Sequence, residues 1–551
     1  MIMLRFTKPM LCACLLALGL PCLSPLAQTK NGGAAVDLPR LVKQGTAIQL
    51  RVHDRPFLII AGELGNSSAS SLEYLRPIWP KLEKMHLNTV LLPVYWELLE
   101  PAEGKFDFSL VDGVIESARK YNLKLVLLWF GTWKNSMSCY APYWVKTDWN
   151  RFPRARDKDG QAMEILTPFS EDNRNADVRA FAALTKHLQR TDAREQTVVM
   201  IQVENEIGMI PDARDHSQKA NEAYAGLVPE EFMAYLQKNK NNLAPEFSEI
   251  WRQNGYKTSG TWEDVFGKGL HTEEIFMAWH FAGYANSVAE AGKKEYALPM
   301  YANAALIRPG YQPGQYPSAG PLPHLIDVWR AAALAIDFIA PDIYFRNFSE
   351  WCAKFDRSGN PLFIPEAQNS QSLANAFFAV AQHNAMGYSP FSIESLDADR
   401  TQHVTDAYDV LRQLAPLILE HQGKGTMAGV LLDDANQKTQ LQLGDFVFNF
   451  AHEYSWSYAI RSEGEPPRFG GLIIMLSRDE FIIAGTGLIV TFAPRSGDAA
   501  VGIASLDEGV FAEGKWVPGR RVNGDQSHQG RHLHLPGNAF GIQKLRLYLY
   551  K

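Results

Sequence analysis

Between residues 57 and 395 the chain alternates short apolar runs with segments whose apolar residues return every three to four positions. The runs are 57–63 (FLIIAGE), 89–96 (TVLLPVYW), 124–130 (KLVLLWF), 197–204 (TVVMIQVE), 298–304 (LPMYANA), 338–344 (FIAPDIY), 361–367 (PLFIPEA) and 389–395 (SPFSIES). Unbroken apolar runs of this length suit strands buried on both faces, as in a parallel sheet. Helical spacing is carried by Leu75, Ile78, Trp79, Leu82 and Met85 within 72–86, and by Leu110, Val114, Ile115 and Ala118 within 110–121. Segments 177–189, 272–294, 325–334 and 371–383 read the same way. Eight strands separated by helices predict an α/β chain built as a (β/α)8 barrel, the TIM barrel. The long intervals after the third, fourth and fifth strands then become loop insertions that shape a cleft.

The texture changes after residue 415. Gly, Asp, Asn and Pro punctuate short alternating segments at 446–450, 472–476, 481–484, 488–492 and 545–550, the spacing of an antiparallel β-sandwich. The expected organisation is a catalytic barrel over 45–412 and a smaller sandwich over 413–551. At the other end, Arg5 and Lys8 precede an apolar stretch over 10–20, and small residues surround Ala27. Residues 1–27 therefore read as a secretory signal peptide, too short to span a bilayer, and the expectation is an exported protein, periplasmic or secreted. Three of the five cysteines fall in that segment, and Cys139 and Cys352 remain as two buried thiols or a single bridge.

Composition narrows the partners. Acidic residues (60) outnumber basic ones (54), so the chain lacks the basic footprint of a nucleic-acid binder. It also lacks a later apolar segment long enough for a membrane span. Aromatic residues are plentiful (13 Trp, 20 Tyr, 29 Phe), which serves a large core and also supplies flat faces for sugar rings.

In a parallel barrel the chemistry sits where the strands end and the loops converge. The fourth run ends Gln202-Val203-Glu204-Asn205-Glu206, and the seventh ends Phe363-Ile364-Pro365-Glu366. In an extended strand Glu204 and Glu206 would share one face and Asn205 would take the other. One acid at a strand end commonly just meets solvent; two on separate strands of one barrel are the pair that glycosidic cleavage requires. One carboxyl must be protonated to donate to the leaving oxygen, and the other ionised to attack the anomeric carbon. Glu206 is expected to be the acid/base, because the adjacent Asn205 can hold a sugar hydroxyl, and Glu366 the nucleophile. Substrate-binding candidates by position are Glu63, Asn303, Tyr344 and Glu394, with Tyr344 placed to donate to Glu366. Glu100 beside Pro101 is expected to fix its loop.

Several segments resemble the four-seven superfamily of retaining glycosidases, and more specifically the β-galactosidases of glycoside hydrolase family 35. They are Gly62-Glu63, Trp96-Glu97-Leu98-Leu99-Glu100-Pro101 with Gly104 and Phe106, and Gln202 through Gly208. The resemblance covers about 45–410. It implies a retaining β-galactosidase with Glu206 as acid/base, Glu366 as nucleophile and Asn205 on the hydroxyl beside the reacting carbon. Two departures stand out. Glu97-Leu98-Leu99 replaces the family's Asn and His in the second-strand loop, and Gly131-Thr132-Trp133-Lys134-Asn135 replaces an Asn-Ala-Glu in the third, where Trp133 or Asn135 would substitute. The sandwich resembles the accessory domain of a bacterial branch that includes enzymes removing galactose from xyloglucan side chains.

The residues by themselves leave open a β-glucosidase or β-mannosidase on the same scaffold, or a non-catalytic carbohydrate-binding barrel. Trp456 and Trp516 in the sandwich could bind polysaccharide or brace the barrel. No cofactor is expected, since zincin, nucleophile-elbow and phosphate-loop motifs are absent. The metal expectation is likewise none, with His528, His532 and His534 read as structural or solvent-exposed.

Overall fold

The computed structural model describes residues 37–369, 372–433, 436–453 and 468–551. The expected signal peptide and Trp456 lie outside them. Eight parallel strands close into a barrel: Ile59–Glu63, Thr89–Tyr95, Lys124–Lys134, Val198–Asn205, Met300–Ala305, Phe338–Ile343, Ile364–Ala367 and Gly387–Pro390. Each pairs with its sequence neighbours, and the circle closes where Gly387 of the eighth strand meets Ile59 of the first. All eight were legible as apolar runs because both faces of a barrel strand are buried, one in the barrel interior and one under helices. The eighth differs most. It starts at Gly387 and ends at Pro390, so Glu394 sits in a short 3-10 turn, Ile393–Ser395, beyond the strand.

The helices cover the expected segments with two corrections. The 72–86 segment is split into Leu72–Leu75 and Trp79–Lys84, with Pro77 between them lacking the N–H that a continuous helix needs. A 24-residue helix, Ala398–His421, follows the eighth strand; it escaped the sequence reading, and its apolar stripe of Val404, Ala407, Leu411, Leu414 and Ile418 is buried. A three-stranded antiparallel sheet, Arg40–Gln44, Ala47–Val52 and Arg55–Phe57, precedes the barrel. Gln49 anchors it, donating to Leu419 O at 2.7 Å at the end of that helix.

After the barrel come two antiparallel sheets, one of six strands and one of four. The barrel and these sheets fall in one unit, Asp37–Lys551. The alternation of the strands explains the junction. Ile473, Phe481, Ile483, Leu545 and Leu547 point between the sheets, against Phe448, Phe450 and Val490. Their neighbours Leu472, Ile474, Ile482, Ala484 and Ile542 point outward and join the barrel's core. Phe540 stacks on Phe377 of the helix Ala374–Gln382, ring centroids 5.2 Å apart. Gln413 accepts the Phe511 N–H at 2.9 Å, and the Trp516 ring meets Phe511 at 5.3 Å, so Trp516 belongs to this bracing side.

Among the described residues no helix is long and apolar enough to cross a membrane. Cys139 and Cys352 are both free, the second buried and the first exposed, so the reading of two buried thiols holds only for Cys352.

Candidate active site

At the C-terminal end of the barrel the fourth strand does not stay extended. Glu204 and Glu206 adopt φ of +60° and +45°, the left-handed region that non-glycine residues seldom occupy. This abolishes the expected alternation. Glu204 turns back into the protein and Glu206 turns into the mouth. Glu204 Oε2 accepts the Trp133 N–H at 2.7 Å, and its other oxygen is buried without an N–H or hydroxyl donor. Burial raises the Glu204 carboxyl well above the usual range, and the adjacent Asp177 raises it further. Asp177 itself accepts from the Trp129 indole at 2.8 Å and the Thr132 hydroxyl at 2.6 Å.

Glu206 is held from both sides. Its N–H donates to Asn303 Oδ1 at 3.1 Å, and Asn135 Nδ2 donates to its Oε2. Asn135 is delivered by a tight turn in which Lys134 and Met137 exchange backbone hydrogen bonds of 2.8 and 3.0 Å. Its two central residues, Asn135 and Ser136, have φ of +48° and +69°, the type I′ geometry in which Asn is favoured. Asn205 is fully buried, and both side-chain amide atoms lack partners. Such an amide is costly unless something polar reaches it, which suits a ligand hydroxyl.

Glu366, on the seventh strand, accepts a hydrogen bond from the Tyr344 hydroxyl. Its carboxyl is pushed up to about 7, first by burial and then by the charge of Glu206, while Lys134, Tyr344 and Glu63 pull the other way. Glu63 is raised well above the carboxylate range, first by burial and then by the charge of Glu366. Glu394 reaches the same cluster from outside. It accepts from the Gly65 N–H at 2.8 Å and from Ser68, and its backbone carbonyl takes a 2.7 Å bond from Lys81. It ties the loop after the first strand to the turn after the eighth.

The predicted residues Glu63, Asn135, Asn205, Glu206, Asn303, Tyr344 and Glu366 thus converge. Trp133 does not join them: its ring is fully buried against Phe281 and Tyr284, and its indole N–H goes to Leu166 O at 3.1 Å. Glu100 fixes its loop as expected, accepting from the Trp96 indole at 2.9 Å and the Gly104 N–H at 2.7 Å.

Two residues went unread in the sequence. Asp342 of the sixth strand pairs in register with Glu366 and accepts from Asn303 Nδ2 at 2.6 Å. An acid inside the otherwise apolar run FIAPDIY was the available signal. Lys134 is 6% exposed, its ammonium 5.2 Å from the Phe130 ring centre and near enough to Glu63 and Glu366 to favour their ionised forms. In the sandwich His534 pairs with Glu453 at 3.1 Å, and among the described residues no group of three or more His, Cys, Asp or Glu side chains could hold a metal.

With this geometry in hand, comparison with known proteins places residues 73–267 in a match to the glycoside hydrolase family 42 model described as Beta-galactosidase. That stretch carries Glu206 and runs from the first helices to the insertion after the fourth strand. That match makes residues 73–267 similar to a family 42 β-galactosidase domain, and it does not support the family 35 resemblance. Residues 404–534 match a Domain of unknown function (DUF5597), which spans the last barrel helix and most of the sandwich. No curated protein matches the chain. Similar solved structures include the β-galactosidase of Rahnella sp. R3, at 15% identity and TM-score 0.45, covering 68% of this chain and 58% of that one. The β-galactosidase of Bacillus circulans sp. alkalophilus is 14% identical with TM-score 0.46, covering 66% and 57%. The catalytic domain of a β-amylase from Paenibacillus polymyxa is 12% identical with TM-score 0.43, covering 63% and 97%. The chain thus spans less than two thirds of the length of these β-galactosidases.

Proposed function

We propose that the protein is an exported retaining exo-β-galactosidase that removes terminal β-D-galactosyl residues from oligo- or polysaccharides, galactosylated xyloglucan side chains among them. The observation that carries the reading is the convergence of Glu206 and Glu366 from the fourth and seventh strands, each with its own hydrogen-bond donor. The β-galactosidase family match over 73–267 supports the sugar, and the resemblance of the sandwich supports the polymer. Export rests on the N-terminal sequence alone.

In the first step Glu366 attacks the anomeric carbon while Glu206 protonates the departing oxygen. In the second, Glu206 takes a proton from water, which displaces Glu366 and restores the β configuration; this route calls for carboxyls about 5 to 5.5 Å apart. Tyr344 stabilises the ionised nucleophile, and Asn205 offers its unpaired amide to the hydroxyl beside the reacting carbon. Glu63, buried at the end of the first strand, meets a sugar hydroxyl as substrate enters.

A panel of nitrophenyl glycosides, with the first-formed anomer followed by NMR, tests the proposal. β-Galactoside preference with β-galactose formed first is expected. Preference for glucosides would overturn the sugar, and α-galactose formed first would overturn the mechanism. Glu366→Gln should abolish turnover, whereas Glu206→Ala should spare glycosides with good leaving groups; equal loss on both substrate types would contradict the acid assignment.

A further inference from the structure

The segment that carries the acid/base leaves the barrel ladder on one side. The fourth strand pairs with the fifth only at Ile201 and Gln202, and by Glu204 its backbone has turned to positive φ. On the third-strand side the backbone hold continues: the Asn135 N–H reaches Asn205 O at 3.2 Å, and the Ser136 N–H reaches Glu206 O at 3.1 Å. On the fifth-strand side the Glu206 N–H meets a side chain in place of a ladder carbonyl, Asn303 Oδ1 at 3.1 Å. Glu206 itself stands at φ +45°, a conformation that a non-glycine residue keeps only where its surroundings hold it there.

An asparagine amide has a donor end and an acceptor end, and half a turn about its last bond exchanges them. At Asn303 the choice is made by Asp342, whose Oδ2 accepts from Nδ2 at 2.6 Å and so leaves the amide oxygen facing Glu206. Both side chains are buried. Asn303 thus differs from Asn205: both amide atoms of Asn205 are unpartnered, as a sugar contact needs, whereas both ends of Asn303 are engaged by protein. The register explains the reach. Asn303 pairs with Ala340, and Asp342 lies two positions farther along the sixth strand, on the same face. On its other side Asp342 is in register with Glu366. The contacts therefore run from the Glu206 backbone through the fifth and sixth strands to the strand that carries the nucleophile.

We propose that Asn303 and Asp342 are positioning residues for the acid/base: Asp342 orients the Asn303 amide, and Asn303 pins the Glu206 backbone so that its carboxyl points into the mouth at a fixed place relative to Glu366. The inference rests on Glu206 being the acid/base of the proposed glycosidase. It gives Asn303 a supporting role instead of the substrate contact expected from its place at a strand end.

Asn303→Ala removes the acceptor. Its kcat/KM should fall at least about tenfold more on an alkyl β-galactoside than on a dinitrophenyl one, since only the poor leaving group depends on a well-aimed proton donor, and a misplacement of about 1 Å can cost about 100-fold. Asp342→Leu, which frees the amide to flip, should show the same leaving-group dependence. Asp342→Asn still offers an oxygen to Nδ2 and should stay close to the parent. Adding Asp342→Leu to Asn303→Ala should cost little more, because Asp342 acts through Asn303. Equal losses on both substrates in Asn303→Ala would assign a merely structural role and overturn the proposal. So would a loss in Asp342→Asn as large as in Asp342→Leu, which would make the charge and not the hydrogen bond the cause, or losses that multiply in the double variant.

Crystal structures of the variants need no turnover. In Asn303→Ala and in Asp342→Leu, Glu206 should leave the positive-φ region and its carboxyl should move; a Glu206 that stays in place would overturn the proposal. Should either variant fail to fold, the other alone decides on both readouts. If the unaltered protein hydrolyses no glycoside, the glycosidase reading falls, and the crystal structures still decide whether Asn303 and Asp342 hold the Glu206 backbone.

Discussion

Replacing Lys134 by Met should move the acidic limb of catalysis upward. The ammonium sits over Phe130 and favours the ionised form of Glu366, whose carboxyl burial and Glu206 push up to about 7 even with that cation in place. Removing a cation from a carboxylate raises its pKa, so in the variant Glu366 ionises at higher pH. Since the attacking carboxylate must be ionised, kcat/KM falls away at a higher pH than in the parent enzyme. Among the described residues no carboxylate lies within ion-pair reach of the ammonium, which sets the scale of the effect. A unit charge at roughly 5 to 8 Å with an effective dielectric near 20 contributes about 2 to 3 kcal/mol, or roughly 1.5 to 2 pH units. Solvent in the mouth screens part of this, so a shift of about one unit is the smallest the reasoning allows. The assay is kcat/KM for nitrophenyl β-galactoside from pH 4 to 9, with Lys134→Arg as the charge-conserving control. An acidic limb that stays in place in Lys134→Met, or moves down, would refute the electrostatic role.

Other outcomes follow from the buried network behind the site. Asp177→Ala strands the Trp129 indole without its acceptor and leaves the Thr132 hydroxyl only Tyr284, at 2.7 Å, so it should lower stability in urea by about 1 to 3 kcal/mol; a loss under about 0.5 kcal/mol would show the network to be incidental. Gly131→Ala places a Cβ about 2.2 Å from Trp129 Nε1 and 2.8 Å from Glu204 Oε1, so it should destabilise by about 1 to 3 kcal/mol without any change in charge. Burial raises the carboxyls of Glu63, Glu204 and Asp342 in the folded state, so it binds more protons than the unfolded chain and stability falls as pH rises above the ordinary carboxylate range. Glu204→Gln removes one of these groups and should flatten that slope, which urea midpoints at four pH values would reveal; an unchanged slope would place the proton elsewhere.

The barrel was legible because burial on both faces leaves a plain mark, an apolar run of strand length. Its two catalytic candidates were legible because a carboxylate at the end of such a run stands out. Side-chain direction was not, for Glu204 and Glu206 part company through positive φ values that no alternation rule anticipates. Trp133 failed as a sugar contact for a different reason: a strand that extends to Lys134 turns that ring into the core. Asp342 was hidden by its company: an acid within an apolar run is invisible to a search for strand-end carboxylates, and its hydrogen-bond partner, Asn303, comes from a different strand. The long helix Ala398–His421 was missed because its sparse apolar stripe is diluted by polar residues on the face away from the barrel.

Trapping with a 2-deoxy-2-fluoro-β-galactosyl donor bearing an activated leaving group tests the central claim most directly. The fluorine slows the second step, so a retaining enzyme accumulates the glycosyl-enzyme ester. Mass spectrometry of the digested protein should find the fluorosugar on the peptide containing Glu366, in one-to-one stoichiometry and absent from Glu366→Gln. A label on any other residue, or rapid turnover with no covalent adduct, would contradict Glu366 as the nucleophile of a retaining mechanism.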